Sequence, residues 1–74
     1  MSSANATARE ILAEALNLDT GALDAEAAIG ITPEWDSLAH MRLVLGVEAA
    51  LARTLSPMEI VSIATLADVA ALID

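Results

Sequence analysis

Over residues 5–16 the apolar side chains Ala8, Ile11, Leu12, Ala15 and Leu16 recur at three- and four-residue intervals, while Arg9, Glu10 and Glu14 fall on the other side. That pattern predicts an amphipathic helix. From Asn17 to Trp35 the periodicity fails. Asp19-Thr20-Gly21, Gly30 and Thr32-Pro33 bring turn-forming residues, so this stretch reads as a long loop with room for a helical turn over Ala22 to Ala28. Leu18, Leu23, Ile29 and Ile31 are spaced irregularly and are expected to anchor the loop to the core. A loop of this length in so small a chain points to a functional role.

The helical pattern resumes at Asp36 and Ser37, both N-cap residue types with Pro33 just upstream, and runs to about Arg53. This longest element is apolar nearly all round. Leu38, Met41 and Leu45 form one stripe, Val44, Val47, Leu51 and Leu55 a second, and Ala39, Leu43 and Ala50 a third. A core this small cannot cover every side of such a helix, so part of it must face a ligand or a partner. Gly46 permits close approach of a neighbour. Ser56-Pro57-Met58-Glu59 then combines an N-cap serine, proline at the first helical position and glutamate three residues after the cap, and opens a short helix. Thr65-Leu66-Ala67-Asp68 is a second capping signature, ahead of a last helix to about Ile73 whose Val69, Leu72 and Ile73 face inward. No repeat or linker divides the chain. The expectation is an all-α fold and a single domain over residues 1–74: a four-helix bundle with a long loop between helices 1 and 2 and a short third helix.

Composition narrows the partners. Eleven acidic against three basic residues give a net charge of −8, which repels nucleic acid and anionic lipid alike. The N-terminal residues lack the basic start and apolar run of a secretory signal, and no apolar run is long enough to span a bilayer, so the expected location is cytoplasmic and the expected state a monomer. With no cysteine and one histidine, neither a disulfide framework nor a thiolate metal site is available.

The catalytic options are thin. Ser37 and His40 lie three apart on one helix, but a nucleophilic serine also needs its base oriented by a third group and an oxyanion site, and no nucleophile-elbow pattern is present. Glu34 with Asp36, or Asp24 with Glu26, are carboxylate pairs of a kind expected by chance in so acidic a chain. No glycine-rich phosphate loop and no metal-ligand spacing occurs, so no catalytic residue and no metal site is assigned and an enzyme is not expected. What stands out is a serine hydroxyl at the start of the longest helix, where unpaired N–H groups and the positive end of the helix dipole favour an anion such as a phosphate.

Asp36-Ser37-Leu38, placed where the loop turns into the longest helix and followed by Leu55-Ser56-Pro57 and Thr65-Leu66-Ala67-Asp68-Val69, resembles the acyl carrier proteins. The resemblance covers nearly the whole chain. It implies a four-helix carrier with a phosphopantetheine arm joined to Ser37 through a phosphodiester, and Asp36 assisting attachment by positioning the metal ion of the phosphopantetheinyl transferase. It further implies that Leu38, Met41 and Leu45 meet acyl-loading and acyl-processing enzymes. Val44, Val47, Leu55, Ile60 and Ile63 would line the space between helices where an acyl chain rests. The arm's thiol would supply the nucleophile that this cysteine-free chain lacks.

The chain departs from the fatty-acid type of that family. Ala39, Arg42, Ala49 and Ala50 stand where the second helix is often acidic, and Trp35, His40 and Arg42 flank the signature, which implies a specialised carrier with dedicated partners and places Arg42 at the docking surface. Trp35 is expected to anchor the loop, His40 to be a partly exposed polar residue of the helix, and Arg53 to be a solvated charge. Two alternatives remain. One is a peptidyl or aminoacyl carrier, disfavoured by Trp35-Asp36 where those domains are glycine-rich; the other is a non-covalent helical adaptor docking through the apolar second helix.

Overall fold

The computed structural model describes residues 3–73; Met1, Ser2 and Asp74, which the single-domain assignment includes, lie outside the described residues. Over these the fold is all-helical, with four α-helices: α1 Ser3–Leu16, α2 Ser37–Leu51, α3 Pro57–Ser62 and α4 Leu66–Ile73. α1 is the central element and packs against both α2 and α4. Ala8, Leu12, Ala13, Ala15 and Leu16 are buried along it, and Ile11 is half-buried. The helix stops because Asn17 turns left-handed at φ 60°. The N–H of Leu18 then reaches the carbonyl of Ala13 at 2.8 Å and that of Asn17 the carbonyl of Glu14 at 3.1 Å, closing the last turn.

The segment from 17 to 36 contains a 3-10 helix at Thr20–Ala22 and no helical turn over Ala22 to Ala28. There the Asp24 carboxylate accepts the N–H of Glu26 at 2.9 Å and the backbone folds back at Ala27, a local bond that competes with a helix. The segment is fastened at both ends. The guanidinium of Arg9 donates to the carbonyls of Thr20 and Leu23, each at 2.9 Å, so Arg9 is not simply a solvated charge on the outer face of α1. Ala28 and Thr65 form an isolated antiparallel bridge, with Ile29 N–H on the Ala64 carbonyl at 2.8 Å, which ties the segment to the start of α4. Leu23, Ala27 and Trp35 are the buried anchors and Leu18 is half-buried, whereas Ile29 and Ile31 face outward. The turn from Ala28 to Thr32, with Gly30 at φ 84°, rotates those two isoleucines away from the core.

On α2, Ala39, Leu43, Val44 and Val47 make one continuous buried face, flanked by half-buried Leu51. Two of the three apolar stripes thus merge, and Ala50, assigned to the third, is exposed. Gly46 sits where α2 crosses α1: a Cβ there would lie 2.8 Å from Cγ2 of Ile11. Ala52 ends the helix at φ 55°, a left-handed position usually filled by glycine.

The two capping signatures form as read. Ser56 Oγ accepts the N–H of Glu59 at 3.2 Å while Glu59 Oε1 accepts that of Ser56 at 2.9 Å. Thr65 Oγ1 accepts the N–H of Asp68 at 3.1 Å and Asp68 Oδ2 accepts those of Ala64 and Thr65 at 2.9 and 3.0 Å. On α4, Leu66 and Val69 are buried and Leu72 and Ile73 half-buried against the core. The start of α3 is held further by Glu48 Oε2, which accepts the N–H of Leu55 at 2.8 Å, and by Arg53, whose guanidinium grips Glu59 bidentately at 2.9 and 3.1 Å. Arg53 is exposed, as expected of a solvated charge, and is in addition paired with Glu59 at the surface.

Two outcomes follow. Gly46→Ala should lower stability by about 1 kcal/mol in urea denaturation, because overpacking against a β-branched methyl outweighs the gain in helix propensity. In an Ile11→Ala background, where the clash is gone, the same substitution should raise stability by about 1 kcal/mol. The second concerns acid. The Arg53 guanidinium, helped by the Ser56 N–H, lowers the Glu59 carboxyl from the ordinary 4.5 to about 2. Because the folded value lies below the ordinary one, Glu59 contributes stability that is fully present above pH 4.5 and is lost as pH falls toward 2. Carboxyl carbon resonances followed against pH should give a Glu59 midpoint near 2, moving back up toward 4.5 in Arg53→Ala.

Candidate functional site

At the start of α2 the cap and the serine have separate jobs. Asp36 is the N-cap residue: its Oδ1 accepts the N–H of Ala39 at 2.8 Å and its carbonyl that of His40 at 2.9 Å. Ser37 is the first helical residue and is exposed. Capping, the ordinary use of a serine at a helix start, is thus supplied by its neighbour. The Ser37 hydroxyl stands in the first turn of a 15-residue helix, at the positive end of its dipole.

The apolar residues of the loading and docking assignment divide cleanly. Leu38, Met41 and Leu45 are 65, 59 and 62% exposed and lie at i, i+3 and i+7 along one side of α2. Val44, Val47, Leu55 and Ile63 are buried, with half-buried Ile60 packed against them, so these five meet in the core. A hollow of about 610 Å³ on the loop side is lined by Leu18, Leu23, Asp24, Glu26, Ile31 and Glu34 among others. Another, of about 340 Å³, lies between α1 and α2 beside Ile11, Arg42 and Gly46. Neither is lined by the five core residues. Arg42 flanks the exposed stripe, but its Nε donates to the Ala15 carbonyl at 3.0 Å, in the last turn of α1, where carbonyls without helical partners favour a cation.

What the sequence pattern did not disclose is a chain of hydrogen bonds beneath the serine. Trp35, 3% exposed, donates its indole Nε1–H to His40 Nδ1 at 3.0 Å, and His40 Nε2 lies 3.1 Å from the Ile60 carbonyl on α3. The two rings are inclined by 24° with centroids 6.1 Å apart. Because the indole can only donate, Nδ1 must accept, so the hydrogen of the neutral imidazole resides on Nε2 and donates to the carbonyl. His40 is half-buried, the partly exposed residue expected from its position, and it is engaged at both nitrogens. Its spacing of four from Val44 and seven from Val47 placed it at the edge of the buried face. No spacing rule could name Ile60 as its partner.

No protein-family model matches the chain, and no curated protein matches it significantly.

Removing the imidazole leaves a buried indole N–H without a partner and the Ile60 carbonyl with only the N–H of Ile63 at 3.4 Å. His40→Ala should therefore lower stability by about 2 kcal/mol in urea denaturation, and His40→Gln, whose amide offers one acceptor and one donor, by about half of that.

Proposed function

We propose that the chain is an acyl carrier protein of acyl-carrier-like fold, carrying acyl groups as thioesters on a phosphopantetheine arm attached to Ser37. The observation that carries the reading is that Ser37 is exposed at the head of the longest helix while Asp36 does the capping. The hydroxyl is therefore open to an incoming transferase, and a phosphodiester formed there would sit at the positive end of the dipole. The cap needs only Oδ1 of Asp36, so its second oxygen is available to the metal ion that a phosphopantetheinyl transferase brings. When attached, the arm supplies the thiol that holds the cargo. The chain's own residues anchor and present it, and tethering raises the cargo's effective concentration in a docked active site. On this reading the protein is a delivery module, not an enzyme.

The exposed Leu38, Met41 and Leu45 beside Ser37 are the surface on which loading and processing enzymes would dock, with Arg42 at its edge. Among the described residues no helix is long and apolar enough to cross a membrane, which fits a carrier working in the cytoplasm as a monomer. Aminoacyl cargo would use the same serine. The same exposed stripe also favours a second reading, an adaptor that docks through α2 without any arm.

Incubation with coenzyme A, magnesium and a broad-specificity phosphopantetheinyl transferase should raise the intact mass by one phosphopantetheine. Ser37→Ala should abolish the gain. No gain in the native chain, or a gain that survives Ser37→Ala, sinks the carrier reading and leaves the adaptor.

A further inference from the structure

The bonds around α3 bear on which cargo Ser37 can carry, an inference that rests on the carrier reading. α3 is six residues long and buries no side chain fully; Leu55 before it and Ile63 after it are its buried anchors. Its start is fixed by the capping box, by Arg53 on Glu59 and by Glu48 on the Leu55 N–H. Its end is tied to α2 by the bond of His40 to the Ile60 carbonyl, which also accepts the N–H of Ile63 at 3.4 Å. That bond is one half of a relay whose other half is the indole of Trp35, two residues before Ser37. One imidazole thus joins the root of the proposed arm, the first turn of α2 and the last turn of α3.

The relay is matched at every atom. The indole donates, Nδ1 accepts, Nε2 donates and the carbonyl accepts, so Trp35 fixes the hydrogen of His40 on the nitrogen that faces α3, and lifting the end of α3 leaves that half-buried N–H without its partner. Behind it the interior is already filled: Val47 is 0%, Ile63 2% and Val44 5% exposed. On the carrier reading a long acyl chain would rest between the helices among these residues, and the end of α3 is where the relay holds. An acyl group of a few carbons has too little apolar surface to drive the opening and can stay outside.

We infer that the Trp35–His40–Ile60 relay is a latch on the seam between α2 and α3, and that it makes this chain a carrier of short acyl groups held outside the bundle. His40 is the positioning residue. It touches neither the arm nor the cargo, and it acts by keeping α3 against α2.

The chain has a single tryptophan, so its indole N–H gives one resonance that reports the bond orienting His40, and the methyl groups of Val44, Val47 and Ile63 report the seam itself. The protein is loaded at Ser37 from acetyl-, butyryl- or octanoyl-coenzyme A by the broad-specificity transferase, with loading read by mass. Indole hydrogen exchange and the methyl resonances of Val44, Val47 and Ile63 are then compared. In the native chain all three cargoes should give the same methyl spectrum, and indole exchange should agree within about twofold. In His40→Ala octanoyl, but not acetyl, should shift the three methyl sets, and His40→Gln should restore the native behaviour. Trp35→Phe, which removes the donor but keeps a ring in the core, should behave as His40→Ala does and serves if that variant does not fold. Octanoyl-dependent methyl shifts in the native chain, indole exchange about tenfold faster with octanoyl, or latch variants indistinguishable from native would each overturn the inference while leaving the carrier reading intact. Absence of any mass gain is a different failure, that of the carrier reading, and removes the inference with it.

Discussion

A chain with one tryptophan and neither phenylalanine nor tyrosine must fill its core with alanine, valine, leucine and isoleucine, and small side chains fill space only when helix axes come close. That close approach sets the rest of the structure. Ala8, Ala13 and Ala15 on α1 and Ala39 on α2 are all buried, and Gly46 lies against Ile11 with no room for a further carbon. A core of this kind excludes water well but offers few large contacts to fix the ends of short elements. Those ends are held instead by polar cross-ties.

The cross-ties account for every basic side chain in the protein. Arg9 holds the 3-10 turn, Arg42 the end of α1 and Arg53 the start of α3, each donating to a carbonyl or a carboxylate of another segment. With its three arginines each engaged in a bond to another segment, the molecule presents a surface richer in carboxylates than in free cations, interrupted by the apolar side of α2. The exposed stripe of Leu38, Met41 and Leu45 is apolar, with Glu48 of the same helix already committed to the Leu55 N–H. Specificity for a partner would then come from shape and apolar area more than from charge pairing.

The relay from Trp35 through His40 to Ile60 joins these two themes. The largest side chain in the core lies at the end of the loop, immediately before the Asp36 cap, and its one polar atom is satisfied by the helix that follows. The end of the loop, the first turn of α2 and the last turn of α3 are consequently tied together, with Ser37 exposed on the first turn of α2.

Much of this was legible in the chain itself. Apolar spacing located α1 and α2, and local capping chemistry located Asp36, Ser56 and Thr65, because a cap is a contact between residues three apart and needs no knowledge of the rest of the fold. That rule named both Asp36 and Ser37 as caps of α2, and the structure gives the cap to Asp36 and leaves Ser37 exposed. Contacts between distant residues were not legible. Nothing in spacing shows that Ile29 and Ile31 face out while Ala27 faces in, since a turn with positive φ at Gly30 decides it. Nor could spacing show that Arg42 would find Ala15, or that His40 would bond both a tryptophan five residues back and a carbonyl twenty residues on. A side chain's hydrogen-bond partner is chosen by which backbone carbonyl the tertiary packing brings within 3 Å, and that choice is made by the whole core. The sequence by itself determined where the helices start and which serine lies at the head of the longest; the tertiary structure alone decided which carbonyl of α3 the His40 of that helix bonds, because packing of the whole core sets that distance.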